Sequence, residues 1–140
     1  EVVSAFIGSK YSVYIAGGGL KEKSLHNIHI APYFNFQTLL PDSLLFIHHG
    51  GQNSMIDGLV YGVPQLICAG KVFERKYNAQ SIAKIGAGIE ISYKDFAGKN
   101  IKTLFKQIIS DETYQENAFR VGRILLSLGG TKKIIESLEN

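Results

Sequence analysis

Two adjacent histidines, His48 and His49, run directly into Gly50-Gly51 and then into the polar group Gln52-Asn53-Ser54. A histidine can move a proton, hold a metal or contact an anion. Paired glycines let a backbone approach a ligand closely. A helix that starts near Asn53-Ser54 would turn its first amides and the positive end of its dipole outward, which suits a phosphate or diphosphate. An ordinary strand-to-helix turn with Ser54 as the N-cap accounts for the same residues. Ser54-Met55-Ile56-Asp57 also fits the S-x-x-D capping box, which gives Asp57 a role without any ligand. Neighbouring strand residues point to opposite faces, so His48 and His49 are poorly placed to grip one metal, and the chain has no H-E-x-x-H spacing or Cys/His cluster. One histidine should face a ligand crevice while the other packs into or beside the sheet.

Short β-branched or aromatic runs alternate with helical segments and would position this loop. Tyr11–Ala16, Asn27–Ala31, Leu44–His48, Gln65–Ala69 and Gly88–Ser92 read as strands. The third and fourth are almost continuously apolar, as parallel strands covered on both faces are. Phe36–Leu40 reads as a short helix. Ile101, Leu104, Phe105, Ile108 and Ile109 follow amphipathic helical spacing. A helix beginning at Asp111 carries Val121, Leu125 and Leu128 on one stripe until Gly129-Gly130, after which the segment from Thr131 resumes the pattern. Gly86 and Gly88 are placed to end a helix over Tyr77–Ile85. Met55, Ile56, Leu59 and Val60 form the buried side of the helix after the glycine pair. The expected fold is α/β, a Rossmann-like doubly wound parallel sheet with flanking helices. Ligands of such sheets sit at the carboxyl ends of the strands, where His48–Ser54 falls.

Residues 1–140 are expected to form one domain, since 140 residues can bury a sizeable core and no linker or repeat divides them. A net charge of +3 with scattered basic residues allows a phosphate-bearing ligand but does not point to nucleic acid. The single cysteine, Cys68, excludes an internal disulfide and suits a reducing, cytoplasmic setting; it reads as a buried small side chain. No apolar run reaches the roughly 18 to 20 residues needed to span a bilayer. Gly17–Gly19 do not make a G-x-G-x-x-G fingerprint and read as a mobile loop at the crevice. The chain opens at Glu1-Val2-Val3 as if inside a helix, which suggests a fragment.

The stretches "HGGQNSMIDGLVYGVPQLI" and "FERKYNAQSIAKIGAGIEI" together resemble the donor-binding domain of UDP-glycosyltransferases with the GT-B fold, above all the macrolide-type and antibiotic glycosyltransferases. The tail "DETYQENAFRVGRILLSLGGTKKIIESLE" is also similar to that family's end, and the resemblance runs from about Tyr11 onward. It implies the C-terminal half of a hexosyl-transferring enzyme, which moves a sugar from a nucleotide diphosphate sugar, most simply a UDP-sugar, to an acceptor hydroxyl. By resemblance His49 contacts the donor diphosphate, with Gly50, Gly51, Asn53 and Ser54 around it. Asp57 takes the position that holds ribose hydroxyls, in competition with its capping role. Glu74 matches the acidic residue that binds the transferred sugar.

Departures from the family pattern carry information too. Arg75 stands where a glutamine usually follows Glu74, and its guanidinium permits a charged or unusual sugar. Tyr33 replaces the base-stacking tryptophan and can still stack on a base. Phe36 stands in the glutamine's place, and main-chain groups of Phe34 can pair with the base edge. The resemblance further implies that a first strand and an N-terminal acceptor domain, which would carry the general base, are missing here. Residues 1–140 would then hold no catalytic residue, need no cofactor or metal, and bind donor without turnover. Their partners would be the nucleotide-sugar donor and that acceptor domain or a partner subunit, with peripheral membrane association allowed. A nucleotide-sugar epimerase half, the donor subunit of a two-subunit transferase docked on a membrane-bound partner, and a non-catalytic nucleotide-binding module stay open.

Overall fold

The computed structural model describes residues 1–129. In chain order these give α1 (Val2–Phe6), β1 (Val13–Ala16), β2 (Lys23–Leu25), β3 (Ile28–Ala31), α2 (Phe36–Leu39), β4 (Phe46–His48), α3 (Gln52–Val60), β5 (Gln65–Ile67), α4 (Phe73–Lys84), β6 (Gly88–Glu90), α5 (Gly98–Ser110) and α6 (Thr113–Ser127). The continuation expected from Thr131 lies outside the described residues.

All five expected strands form, each shorter than its apolar run. β4, β5 and β6 pair in parallel, with Phe46 opposite Gln65 and Gln65 opposite Gly88. β1 and β3 pair in parallel with Val13 opposite Ile28. The sequence did not announce β2, which runs antiparallel to β3. Lys-Ser-Leu has no alternating apolar face. It is held by a two-residue turn at His26-Asn27, where His26 takes φ 52°. The Asn27 side chain then ties the turn down by donating to the carbonyls of Phe6 and Tyr11, at 2.8 and 2.6 Å, and accepting the Gly8 N–H.

β5 explains the continuous apolar run, because all three of its residues are buried. Leu66 packs into one core with Phe6, Ile28, Ile101 and Phe105, where the Phe105 ring meets Phe6 edge-on at 5.1 Å. Ile67 packs into a second core on the opposite face with Leu59, Ala79, Ile82 and Ala118. Helices therefore cover both faces, as a doubly wound sheet requires. α5 forms with Ile101, Phe105 and Ile108 of its predicted stripe buried and Leu104 partly buried, but Ile109 is 38% exposed and lies off the stripe. On α6, Val121 and Leu125 reach the second core, but Leu128 is 64% exposed and leaves the stripe. Gly86 ends α4 with φ 72°, whereas Gly88 opens β6 against the Gln65 backbone, where a Cβ has no room. Gly88 is thus a strand position rather than a helix terminator.

One feature differs from a continuous sheet. The hydrogen-bonded strands fall into two sets, β1-β3-β2 and β4-β5-β6. β1 and β4 are each an edge, and both line a cavity of about 790 Å³ together with Phe36, Cys68 and Phe105. The two half-sheets are therefore separated by a cleft, with a strand edge on each side.

Candidate functional site

The loop after β4 is shaped by Gly50. Its φ of 91° is a conformation that side chains rarely adopt, and a Cβ there would lie 2.7 Å from the Arg75 carbonyl oxygen. This turn reverses the chain at once, so α3 begins at Gln52 with Gly51 as its N-cap. Ser54, expected as the N-cap, is the third helical residue, and the Ser54–Asp57 capping box does not form. The glycine pair, not the serine, sets the helix start. No side chain caps α3, and the first amide bonded within the helix is that of Met55, to the Gly51 carbonyl at 3.0 Å. The N–H groups of Gln52, Asn53 and Ser54 thus precede the first helical bond, at the positive end of a nine-residue helix.

The two histidines separate as strand geometry predicts. His49 is exposed, and its ring lies over the helix start: a Cβ on Gly51 would sit 3.1 Å from Nε2. His48 is half-buried and points the other way. Its Nδ1 accepts the Gly50 N–H at 3.0 Å, and its Nε2 is 2.7 Å from Oε1 of Gln65. Burial pushes the His48 pKa down to about 4; the bond to Gln65 opposes this, and the charge of His49 adds to it.

Gln65 is fully buried and donates through Nε2 to the Met55 carbonyl at 3.0 Å. Asn78, 8% exposed, donates to the Gly50 carbonyl at 2.9 Å. Both peptide groups of Gly50 therefore point inward, so the sequence expectation that Gly50 joins Gly51, Asn53 and Ser54 in facing a ligand needs correcting. Gly50 backs the loop. Sequence reasoning also missed Gln65 and Asn78. A glutamine inside the apolar run Val63–Ala69 was the signal, because a buried amide must find partners.

The other expected residues divide into two groups. Asp57 is half-buried in α3, and burial raises its carboxyl pKa. Glu74 is exposed in the first turn of α4, and Arg75 beside it packs its main chain against Gly50. The β4–α3 and β5–α4 connections thus meet in one loop cluster. Tyr33 and Phe34 follow β3 in the other half-sheet. Tyr33 is 76% exposed, and the half-buried Phe34 meets Tyr14 edge-on at 5.4 Å. The large cavity connects the two regions, since Tyr14 and Ala16 of β1 line it along with His48 and His49. Gly17–Gly19 lead into β2 rather than a helix, so no dinucleotide fingerprint forms. Among the described residues no three His, Cys, Asp or Glu side chains converge as metal ligands, and no helix is long and apolar enough to cross a membrane.

Comparison with known proteins gives this geometry a family. Residues 20–140 match the model of the erythromycin biosynthesis protein CIII-like C-terminal domain. The uncharacterized UDP-glucosyltransferase YojK of Bacillus subtilis is 29% identical over 112 residues, covering 80% of this chain and 27% of that protein. CalG4, the calicheamicin glycosyltransferase, superposes with a TM-score of 0.89 at 21% identity, covering 99% of this chain and 37% of CalG4. The glycosyltransferase VinC, solved in complex with dTDP, superposes at 0.75 and 21% identity, covering 87% of this chain and 31% of VinC. The chain thus spans well under half the length of each of these relatives, and the low-identity superpositions establish its fold. On the strength of the domain match, the chain belongs to the family of erythromycin biosynthesis protein CIII-like C-terminal domains.

Proposed function

We propose that this chain is the donor-binding half of a glycosyltransferase that moves a hexose from a nucleotide diphosphate sugar, most simply a UDP-sugar, to an acceptor hydroxyl. The observation that carries this reading is the uncapped start of α3, opening from the Gly50 turn with the His49 imidazole laid against Gly51. Amides at a helix start, an imidazole and a hydroxyl together suit a diphosphate, and they suit it better as charge develops on the leaving group. In this reading His49, Gly51, Asn53 and Ser54 hold the diphosphate. Asp57, one turn further along α3, takes the ribose hydroxyls. Tyr33 stacks on the base while the main chain of Phe34 meets the base edge. Glu74 binds the sugar hydroxyls, and Arg75 favours a sugar that carries an acceptor group for its guanidinium.

Similarity to YojK, a UDP-glucosyltransferase by name, supports a UDP donor, and the VinC complex makes dTDP the natural competitor. The general base that takes the acceptor proton would come from an acceptor domain elsewhere in the protein or on a partner subunit. No metal is required, because the helix amides and His49 meet the diphosphate charge themselves. The cleft between β1 and β4, with a free strand edge on each side, has the setting for one more strand to join the two half-sheets. A cytoplasmic setting suits the one buried thiol, Cys68.

Titration of UDP, dTDP and their sugars into the chain, followed by amide chemical shifts, tests the reading. Shifts should concentrate at His49 and Gly51–Asp57. Absence of binding at millimolar concentrations of both nucleotides would overturn it.

A further inference from the structure

His48 lies behind the loop rather than in it, and three hydrogen bonds fix which of its nitrogens carries the proton. The Gly50 N–H donates to Nδ1, so Nδ1 must present a lone pair. Nε2 faces Oε1 of Gln65, and an amide oxygen only accepts, so Nε2 carries the hydrogen. The Gln65 amide orientation follows independently, because its Nε2 donates to the Met55 carbonyl within α3. The chain of bonds runs in one direction, from the Gly50 amide through His48 and Gln65 to the first turns of α3. Asn78 completes it by donating to the Gly50 carbonyl from α4.

We infer that His48 is a positioning residue for the anion site: as the neutral imidazole protonated on Nε2, it draws the Gly50 amide inward so that the amides from Gly51 onward face the ligand. This rests on the diphosphate reading above, and it gives His48 a part that a simple spacer lacks. Two other observations agree with a built arrangement. Gly58 of α3 faces Gln65 so closely that a Cβ would collide with the amide group, so the helix carries a glycine where Gln65 passes. Gln65 and Asn78 are the buried polar side chains of the described residues, and both serve this one turn.

The network makes a distinctive prediction about substitutes. An asparagine at a position before a turn can accept the N–H two residues on, as in an Asx turn. His48→Asn should therefore keep the bond to the Gly50 amide while losing the one to Gln65, whereas His48→Ala loses both. With the chain titrated by UDP, His48→Ala should bind about tenfold more weakly, the equivalent of one hydrogen bond, and His48→Asn should recover most of that loss. A purely structural role would instead make binding follow the urea stability of each variant, whichever side chain is present.

Imidazole nitrogen shifts of the wild-type chain give a second, mutation-free measurement. They should show His48 protonated at Nε2, with Nδ1 as acceptor. The Nδ1-protonated form would overturn the inference even if His48→Ala fails to fold. Equal UDP affinity in wild type, His48→Ala and His48→Asn, all folded, would overturn it as well. Failure of the wild-type chain to bind UDP or dTDP sinks the diphosphate reading and this inference with it. Intact wild-type binding with an indifferent His48 sinks the inference alone.

Discussion

Replacing Gly50 by alanine tests whether the turn after β4 is built as described. Two costs arise there. A side chain held at positive φ loses about 1–2 kcal/mol to backbone strain. In addition the new Cβ would stand 2.7 Å from the Arg75 carbonyl oxygen, 3.1 Å from Ile67 Cγ2 and 3.2 Å from Arg75 Cβ. None of these neighbours is the free end of a long side chain, so relief requires α4 to shift, an overpacking cost of about 1–3 kcal/mol. Gly8 supplies the control. Its φ is 74°, but a Cβ there meets nothing within 4 Å, so Gly8→Ala pays the strain alone. Urea unfolding of both variants should place Gly50→Ala about 1–3 kcal/mol below Gly8→Ala, with unchanged m-values. UDP affinity should fall in Gly50→Ala and stay constant in Gly8→Ala. Equal stability losses in the two variants would refute the close approach of α4 to the turn.

Two further outcomes follow from the core and from His48. The His48 pKa falls from an ordinary 6.5 to about 4 on folding, so between those values the unfolded chain binds more protons and stability declines as pH drops. At about 1.4 kcal/mol for each pKa unit, the drop from 6.5 to about 4 corresponds to a loss of about 3 kcal/mol. Urea midpoints at pH 7 and pH 4.5 should differ more in wild type than in His48→Asn, and parallel pH profiles would refute the assignment. Leu66 is fully buried in the middle of β5, so Leu66→Ala should cost about 3–5 kcal/mol, whereas Leu44→Ala, at a site 53% exposed, should cost under about 1. Similar urea midpoints for the two variants would contradict the placement of the core.

Much of this architecture was legible because its signals are local. The runs ending at His48 and around Leu66 name buried parallel strands by composition alone, and the spacing of Ile101, Phe105 and Ile108 names α5. The opposite placement of His48 and His49 follows from the pleat. What the sequence concealed depends on partners far along the chain. β2 exists because the His26-Asn27 turn brings Leu25 beside Ile28, not because Lys-Ser-Leu favours a strand. Ser54 looked like an N-cap because serine commonly is one, but Gly50 had already turned the chain. The inward pull on Gly50 needs Gln65 and Asn78, 15 and 28 positions away, and only the folded arrangement shows that all three meet. A glycine turn is readable from sequence; the scaffolding behind it is not.

The cleft between the half-sheets has a consequence for handling the chain by itself. Edge strands of soluble proteins guard against pairing with other molecules by carrying lysine, proline or inward-facing charge. Neither Val13–Ala16 nor Phe46–His48 contains any of these: the residues are Val-Tyr-Ile-Ala and Phe-Ile-His. Each presents a row of backbone donors and acceptors beside apolar side chains, and the two rows flank one opening. Such an opening is adhesive toward any extended polypeptide, a neighbouring copy included. A segment that closed the gap would therefore protect solubility as well as join the two half-sheets.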